Sequence, residues 1–159
     1  PRIYYGADIQ LAWENSVGRT ELRGEYITGT QSATYATSIT PPVMPVNKIL
    51  QPEAIYIRNF DGAYFYLLQT FLKKHQVFIK YDWYDPNSRV SGPELTQINN
   101  FGPADLRYDT FGTGYIFYLN DNLKFVFYYD HPVNEESSVK GFSKDINDDT
   151  YTIRVQFRF

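Results

Sequence analysis

The sequence predicts an all-β fold, an antiparallel up-and-down transmembrane β-barrel, on the strength of three observations. Residues 151–159, YTIRVQFRF, alternate apolar and polar without a break. Strict alternation marks a strand whose two faces meet different surroundings, one apolar and one wet. The connections between such segments run short, long, short, long, short, long, the asymmetry of outer-membrane barrels with tight periplasmic turns and long outer loops. Aromatic residues make up 18% of the chain, with 15 Tyr and 12 Phe, while mean hydropathy is negative. Abundant rings without long apolar runs suit strands that show lipid only every second residue.

Seven segments carry the period-two pattern, near residues 3–14, 19–30, 55–72, 75–85, 106–119, 123–131 and 150–159. In the first, Ala7, Ile9, Leu11 and Trp13 alternate with Asp8, Gln10, Ala12 and Glu14. In the second, Leu22, Gly24 and Tyr26 oppose Glu21, Arg23 and Glu25. The third is apolar on both faces around 64–68. The fourth sets Val77, Ile79, Tyr81 and Trp83 against Lys80, Asp82 and Tyr84. The fifth carries Gly112 and Gly114, residues expected at a bulge or a close backbone approach. The sixth sets Leu123, Phe125, Phe127 and Tyr129 against Lys124, Val126, Tyr128 and Asp130. The last sets Tyr151, Ile153, Val155, Phe157 and Phe159 against Thr152, Arg154, Gln156 and Arg158. A Lys or Arg at the bilayer midplane costs about 2–4 kcal/mol, so the charged face is expected to line the interior.

Residues 15–18, 73–74 and 120–122 read as tight turns, rich in residues that accept a positive φ or hydrogen-bond locally. Residues 31–54, 86–105 and 132–149 read as long polar loops. Counting back from a periplasmic C-terminus puts every short connection on the periplasmic side. Seven strands is an odd number where single-chain bacterial barrels use even ones. Residues 1–159 are therefore expected to be a single barrel segment, the C-terminal part of a longer barrel, or one of several chains building a common wall. An eight-stranded barrel with one strand missing and a lumen filled by side chains is the third possibility.

Other classes are set aside. The longest apolar run, residues 63–68, is far short of the roughly 20 residues of a membrane helix. There is no Cys, hence no disulfide or Cys-based metal site, and the net charge of -3 forms no basic block for nucleic acid. The N-terminal residues show neither an initiator Met nor a signal-peptide pattern, so a processed or partial chain is expected. Asp145-Ile146-Asn147-Asp148-Asp149 opens like a calcium loop, but Thr150 stands where the turn glycine belongs, and an acidic loop is the expectation. His75 and His131 lack a second His at ligand spacing and are read as surface positions. Ser16, Ser137 and Ser138 lack a nucleophile elbow, and the prolines of 41–45 read as a rigid loop. No catalytic residue, metal or cofactor is expected, and the chain is not read as an enzyme.

The run 105–114, DLRYDTFGTG, with 118–125, YLNDNLKF, resembles the C-terminal hairpin of phosphate-selective porin O/P-type proteins, particularly their Bacteroidota relatives. Residues 152–159 resemble the strand that barrel-assembly machinery reads, with its terminal Phe. The resemblance implies the last seven strands of a porin of about sixteen, a homotrimer in the outer membrane of a Gram-negative bacterium, and passive uptake of anions. It does not say which arginines match the family's conducting ladder.

Rings of like charge at the narrowest point of a pore set its ion preference. Counted from the turns, Arg23, Lys80 and Arg154 fall at similar depth, and they are expected either to form an arc of a basic girdle or to pair with Glu21, Glu25 and Asp82. Lys124 and Arg158 lie nearer the periplasmic mouth as further pore-lining cations, and Arg107 with Asp109 near the outer rim. Trp13, Tyr81, Trp83, Tyr129, Phe157 and Phe159, with Tyr115 and Tyr118, are expected in aromatic girdles at the two bilayer interfaces. The leading expectation is a porin for small solutes, anions among them. The alternative is a barrel serving as a structural subunit, docked to other outer-membrane proteins through loops 31–54 and 86–105. A soluble all-β binding domain stands third.

Overall fold

The computed structural model describes residues 2–35, 37–41, 43, 45–46, 52, 54–99 and 101–159. Seven strands form one antiparallel sheet: β1 (Tyr4–Asn15), β2 (Gly18–Ala33), β3 (Tyr56–Phe71), β4 (His75–Asp85), β5 (Tyr108–Asn120), β6 (Leu123–Asn134) and β7 (Thr150–Phe157). Each strand pairs with its neighbours in sequence, and β1 and β7 pair on one side only, so the sheet is open along two edges. An up-and-down sheet of this kind is what part of a barrel wall looks like. The expected strand limits agree with the observed ones to within three residues.

Local chemistry closes the short turns. The Asn15 side-chain oxygen accepts from the backbone N–H of Val17 at 2.9 Å and of Gly18 at 3.1 Å, and the Asn120 oxygen accepts from Asn122 N–H at 2.9 Å. The β3–β4 turn is one residue longer than expected. Phe71 pairs with His75, and Leu72 and Lys73 both adopt left-handed φ values, 50° and 58°, without a glycine. Strand pairing on both sides holds them there.

The expected bulge at the fifth strand is absent at its glycines. Register runs unbroken through Gly112 and Gly114, and the irregularity lies between Tyr118 and Asn120. The alternative, close approach, is what the structure shows. A Cβ on Gly114 would stand 2.4 Å from Phe78 Cζ and 2.8 Å from the Phe127 carbonyl oxygen. Gly114→Ala is therefore expected to destabilise the folded sheet by about 1–3 kcal/mol, as overpacking does. Urea titration of the folded protein checks this, and Phe78→Leu in the same chain is expected to restore much of the loss.

Ala33, Phe60, Ala63 and Leu68 are buried on β2 and β3, but the cluster in which buried apolar residues pack on one another lies off the sheet. Leu95, Leu106 and Val139 are buried in the long loops, packed by Val90, Phe101, Tyr108 and Phe142. In contrast, large apolar side chains on one face of the strands stay exposed: Ile9 58%, Phe65 50%, Ile79 58%, Phe111 55% and Ile153 75%. A compact monomer of this size exposes about 8,200 Å², whereas this chain exposes 10835 Å². The excess is the uncovered face of a sheet. The rigid-loop reading of 41–45 concerns a run in which Pro42 and Met44 lie outside the described residues.

Candidate functional site: the polar face of the sheet

Strand parity sorts side chains onto two faces, and the ladder ties the faces together. One perpendicular row runs Gln10, Arg23, Tyr66, Lys80, Gly112, Asp130 and Thr150. The row beside it on the opposite face runs Leu11, Leu22, Leu67, Ile79, Thr113, Tyr129 and Tyr151. Every face assignment expected from the strand patterns is met in these pairings. The polar face lines a trough of about 960 Å³ bordered by Arg23, Lys80, Lys124 and Arg154. Arg158 lies just past β7, its backbone N–H donating to the Asn122 carbonyl at 2.8 Å.

Charge on this face is divided. On β2 and β4 the cations are paired. Arg23 donates to Glu21 at 2.6 Å, Arg19 reaches Glu21 at 3.2 Å, and Lys80 contacts Asp82 at 2.7 Å and Asp130 at 3.3 Å. The pairing reading thus describes Arg23 and Lys80, with Asp130 as an additional partner. Toward β7 the cations are not paired: Lys124, Arg154 and Arg158 make no ion pair among the described residues. Lys124 sits over the Tyr118 ring at 5.6 Å. In register Lys124 faces Gln156, so Arg154 and Arg158 are its two diagonal neighbours.

Between these regions lies a chain of rings that sequence reading did not single out as a site. Tyr64 and Tyr66 have centroids 5.7 Å apart, Tyr66 and Phe78 6.1 Å, and Phe78 and Tyr128 5.4 Å. Lys80 Nζ stands 5.5 Å from the Tyr128 ring. The signal was the stretch 64–68, apolar on both faces. A strand with rings on its polar face breaks the alternation for a reason.

The expected aromatic girdle is split between the two ends of the other face. Trp13 and Phe157 lie near the short turns, and Tyr81, Trp83 and Tyr129 toward the long loops. Phe159 lies beyond β7 and is fully exposed. Tyr118 departs from expectation. It pairs in register with Lys124 on the polar face, and its hydroxyl meets Gln76 Oε1 at 3.3 Å. His75 is half-buried, stacked on Phe71 with the Phe117 ring tilted at 5.3 Å and Nδ1 2.6 Å from the Tyr115 hydroxyl.

At the long-loop end, Arg107 grips Asp109 with two bonds of 2.9 and 2.7 Å, as expected, while its guanidinium lies 5.6 Å from the Trp83 ring. The Tyr81 hydroxyl donates to the same Asp109. Asp149, in the last loop, contacts His131 Nδ1 at 2.6 Å and accepts from the Tyr129 hydroxyl at 3.0 Å. The bond to His131 holds the Asp149 carboxyl below the usual carboxylate range.

The loops themselves are clamped by a buried ion pair. Arg58, 3% exposed, donates Nε to Asp105 Oδ1 at 2.6 Å and Nη2 to Oδ2 at 3.3 Å, and Nη1 to the Thr34 carbonyl at 2.8 Å. Asp105, 1% exposed, also accepts from Asn87 Nδ2 and Gly102 N–H, each at 3.0 Å. Three segments of chain meet at this carboxylate, and Arg58 ties in a fourth through Thr34. Among the described residues, no group of side chains is arranged to hold a metal ion. No family model, no curated protein and no solved structure matches the chain.

Proposed function

We propose that this chain is a wall segment of an outer-membrane β-barrel of a Gram-negative bacterium, a porin through which small solutes diffuse with a preference for anions. The single observation that carries the reading is the sheet with one exposed apolar face and, back to back with it, a charged face along a trough. Lipid covers the first and water fills the second. The resemblance to phosphate-selective porin O/P-type proteins points the same way and adds the homotrimer and recognition of the last strand by barrel-assembly machinery.

In a barrel, strands tilted about 40° and spaced about 4.8 Å apart carry a level line about 1.2 residues along the strand at each step. Lys80's row meets β7 at Thr150, and β5 runs on past the β3–β4 turn to Asn120, which gives the direction of the stagger. The level line through Lys80 therefore reaches β7 about four residues on, at Arg154. On β2 it passes Glu25 instead of Arg23. The girdle is thus a band rather than a ring. Its uncompensated positive charge comes from Arg154 with Lys124 and Arg158 on the periplasmic side, since Lys80 and Arg23 are paired with carboxylates.

The test is reversal potential in planar bilayers under a salt gradient. Arg154→Gln with Lys124→Gln is expected to shift the potential toward cations, whereas Arg23→Gln alone leaves it nearly unchanged. Stepwise current without that shift removes the anion preference, and absence of current removes the porin. The runner-up, a structural subunit docked through its loops, draws on the folded 86–107 segment with its buried Arg58–Asp105 clamp. It predicts no current.

A further inference from the structure

We infer that the polar face binds an acidic oligosaccharide, with sugar rings against Tyr66, Phe78 and Tyr128 and sugar carboxylates on Arg154 and Lys124. The inference deepens the porin reading and rests on it. The rings form a continuous arc, with centroids 6.1 and 5.4 Å apart from Tyr66 through Phe78 to Tyr128. Each ring is half-buried, one side on the sheet and the other toward the trough. A water-filled passage has no need of them, because polar side chains would line it at lower cost in exposed apolar surface. Phe78 is the sharpest case. It has no polar atom, and Gly114 opposite leaves the room in which its ring lies along the wall. Aromatic rings on a wet wall offer apolar area to the CH faces of pyranoses while their rims stay hydrated.

The cations supply the second half. Tyr128 faces Thr152 across the β6–β7 ladder, and Lys124 faces Gln156. Arg154 therefore stands diagonally between the last ring of the arc and Lys124. Neither Arg154 nor Lys124 has a carboxylate partner among the described residues, whereas Arg23 and Lys80 on the neighbouring strands do. A bare inorganic anion gains nothing from three rings. A neutral sugar can take hydrogen bonds from the two cations but leaves their charge uncompensated. A uronate-bearing oligosaccharide uses both, with a charge-assisted bond from guanidinium to carboxylate beside a stacked ring.

The experiment is ion-current block of the full-length protein in planar bilayers by trigalacturonate, with maltotriose and inorganic phosphate as comparators. Trigalacturonate is expected to block at a concentration about tenfold or more below either comparator. Arg154→Gln and Phe78→Leu are each expected to raise that concentration about tenfold while single-pore current persists. Equal block by maltotriose, equal block by phosphate, no block, or block indifferent to both substitutions each overturns the assignment while open pores leave the passage intact. Absence of any current is the failure of the porin reading alone. In that event calorimetric titration of the detergent-solubilised protein with trigalacturonate decides, binding lost in Arg154→Gln supporting the site and no binding overturning it.

Discussion

Asp105→Ala is expected to free the 86–107 loop, raising its amide exchange and protease sensitivity by the equivalent of about 3–5 kcal/mol, the range for breaking a buried ion pair. The carboxylate accepts from Arg58, Asn87 and the Gly102 backbone at once. Its removal leaves the Arg58 guanidinium charged and 3% exposed, with two more donors unpaired. Leu95, Leu106 and Val139 then lose the clamp that keeps their small core closed. Replacing both partners by apolar side chains, Arg58→Met with Asp105→Leu, is expected to recover much of the loss, because the desolvation cost of two charges disappears with the charges. Unchanged exchange in Asp105→Ala contradicts this account of the loops.

Ile79→Lys is expected to cost about 2–4 kcal/mol of folded stability in a bilayer, because the proposed barrel puts the new charge in hydrocarbon near mid-strand. Ile79 is 58% exposed on the apolar face, flanked in its row by Leu67 and Thr113. Thr152→Lys, on the polar face of β7, puts the same charge in water and is expected to cost less than about 0.5 kcal/mol. Urea titration of both variants refolded into lipid vesicles reads the difference. In detergent-free buffer neither variant is expected to fold, since the apolar face then has nothing to cover it.

Most of the sheet was legible in the sequence because period-two alternation is a local signal. Each strand states its own two faces, and residues such as Asn15 and Asn120 state their own turns. Gly112 and Gly114 left two possibilities open, since a glycine shows only that a side chain is unwelcome there. The Phe78 ring that decides the matter lies on another strand. Tyr118 was misplaced for a similar reason: an aromatic at a strand end is read as a girdle residue until its parity is anchored by a pairing such as Tyr118 with Lys124. The division of the basic residues was legible only in part: Glu21 and Asp82 stand two residues from Arg23 and Lys80 on the same strand faces, but which cations stay unpaired was not. Lys80 finds Asp130 across two strands, and Arg58 finds Asp105 forty-seven residues away. Neither partner carries a pattern that announces the other.

The most direct measurement uses the absence of cysteine from the chain. Single cysteines at 77–84 along β4, each carrying a nitroxide in protein reconstituted in lipid, report collision with oxygen and with a water-soluble nickel chelate. The expected result is two period-two profiles of opposite phase, oxygen highest at 77, 79, 81 and 83 and the chelate highest at 78, 80, 82 and 84. Profiles in the same phase, or positions 77 and 79 as open to the chelate as 80 and 82, would contradict a wall with lipid on one side and water on the other.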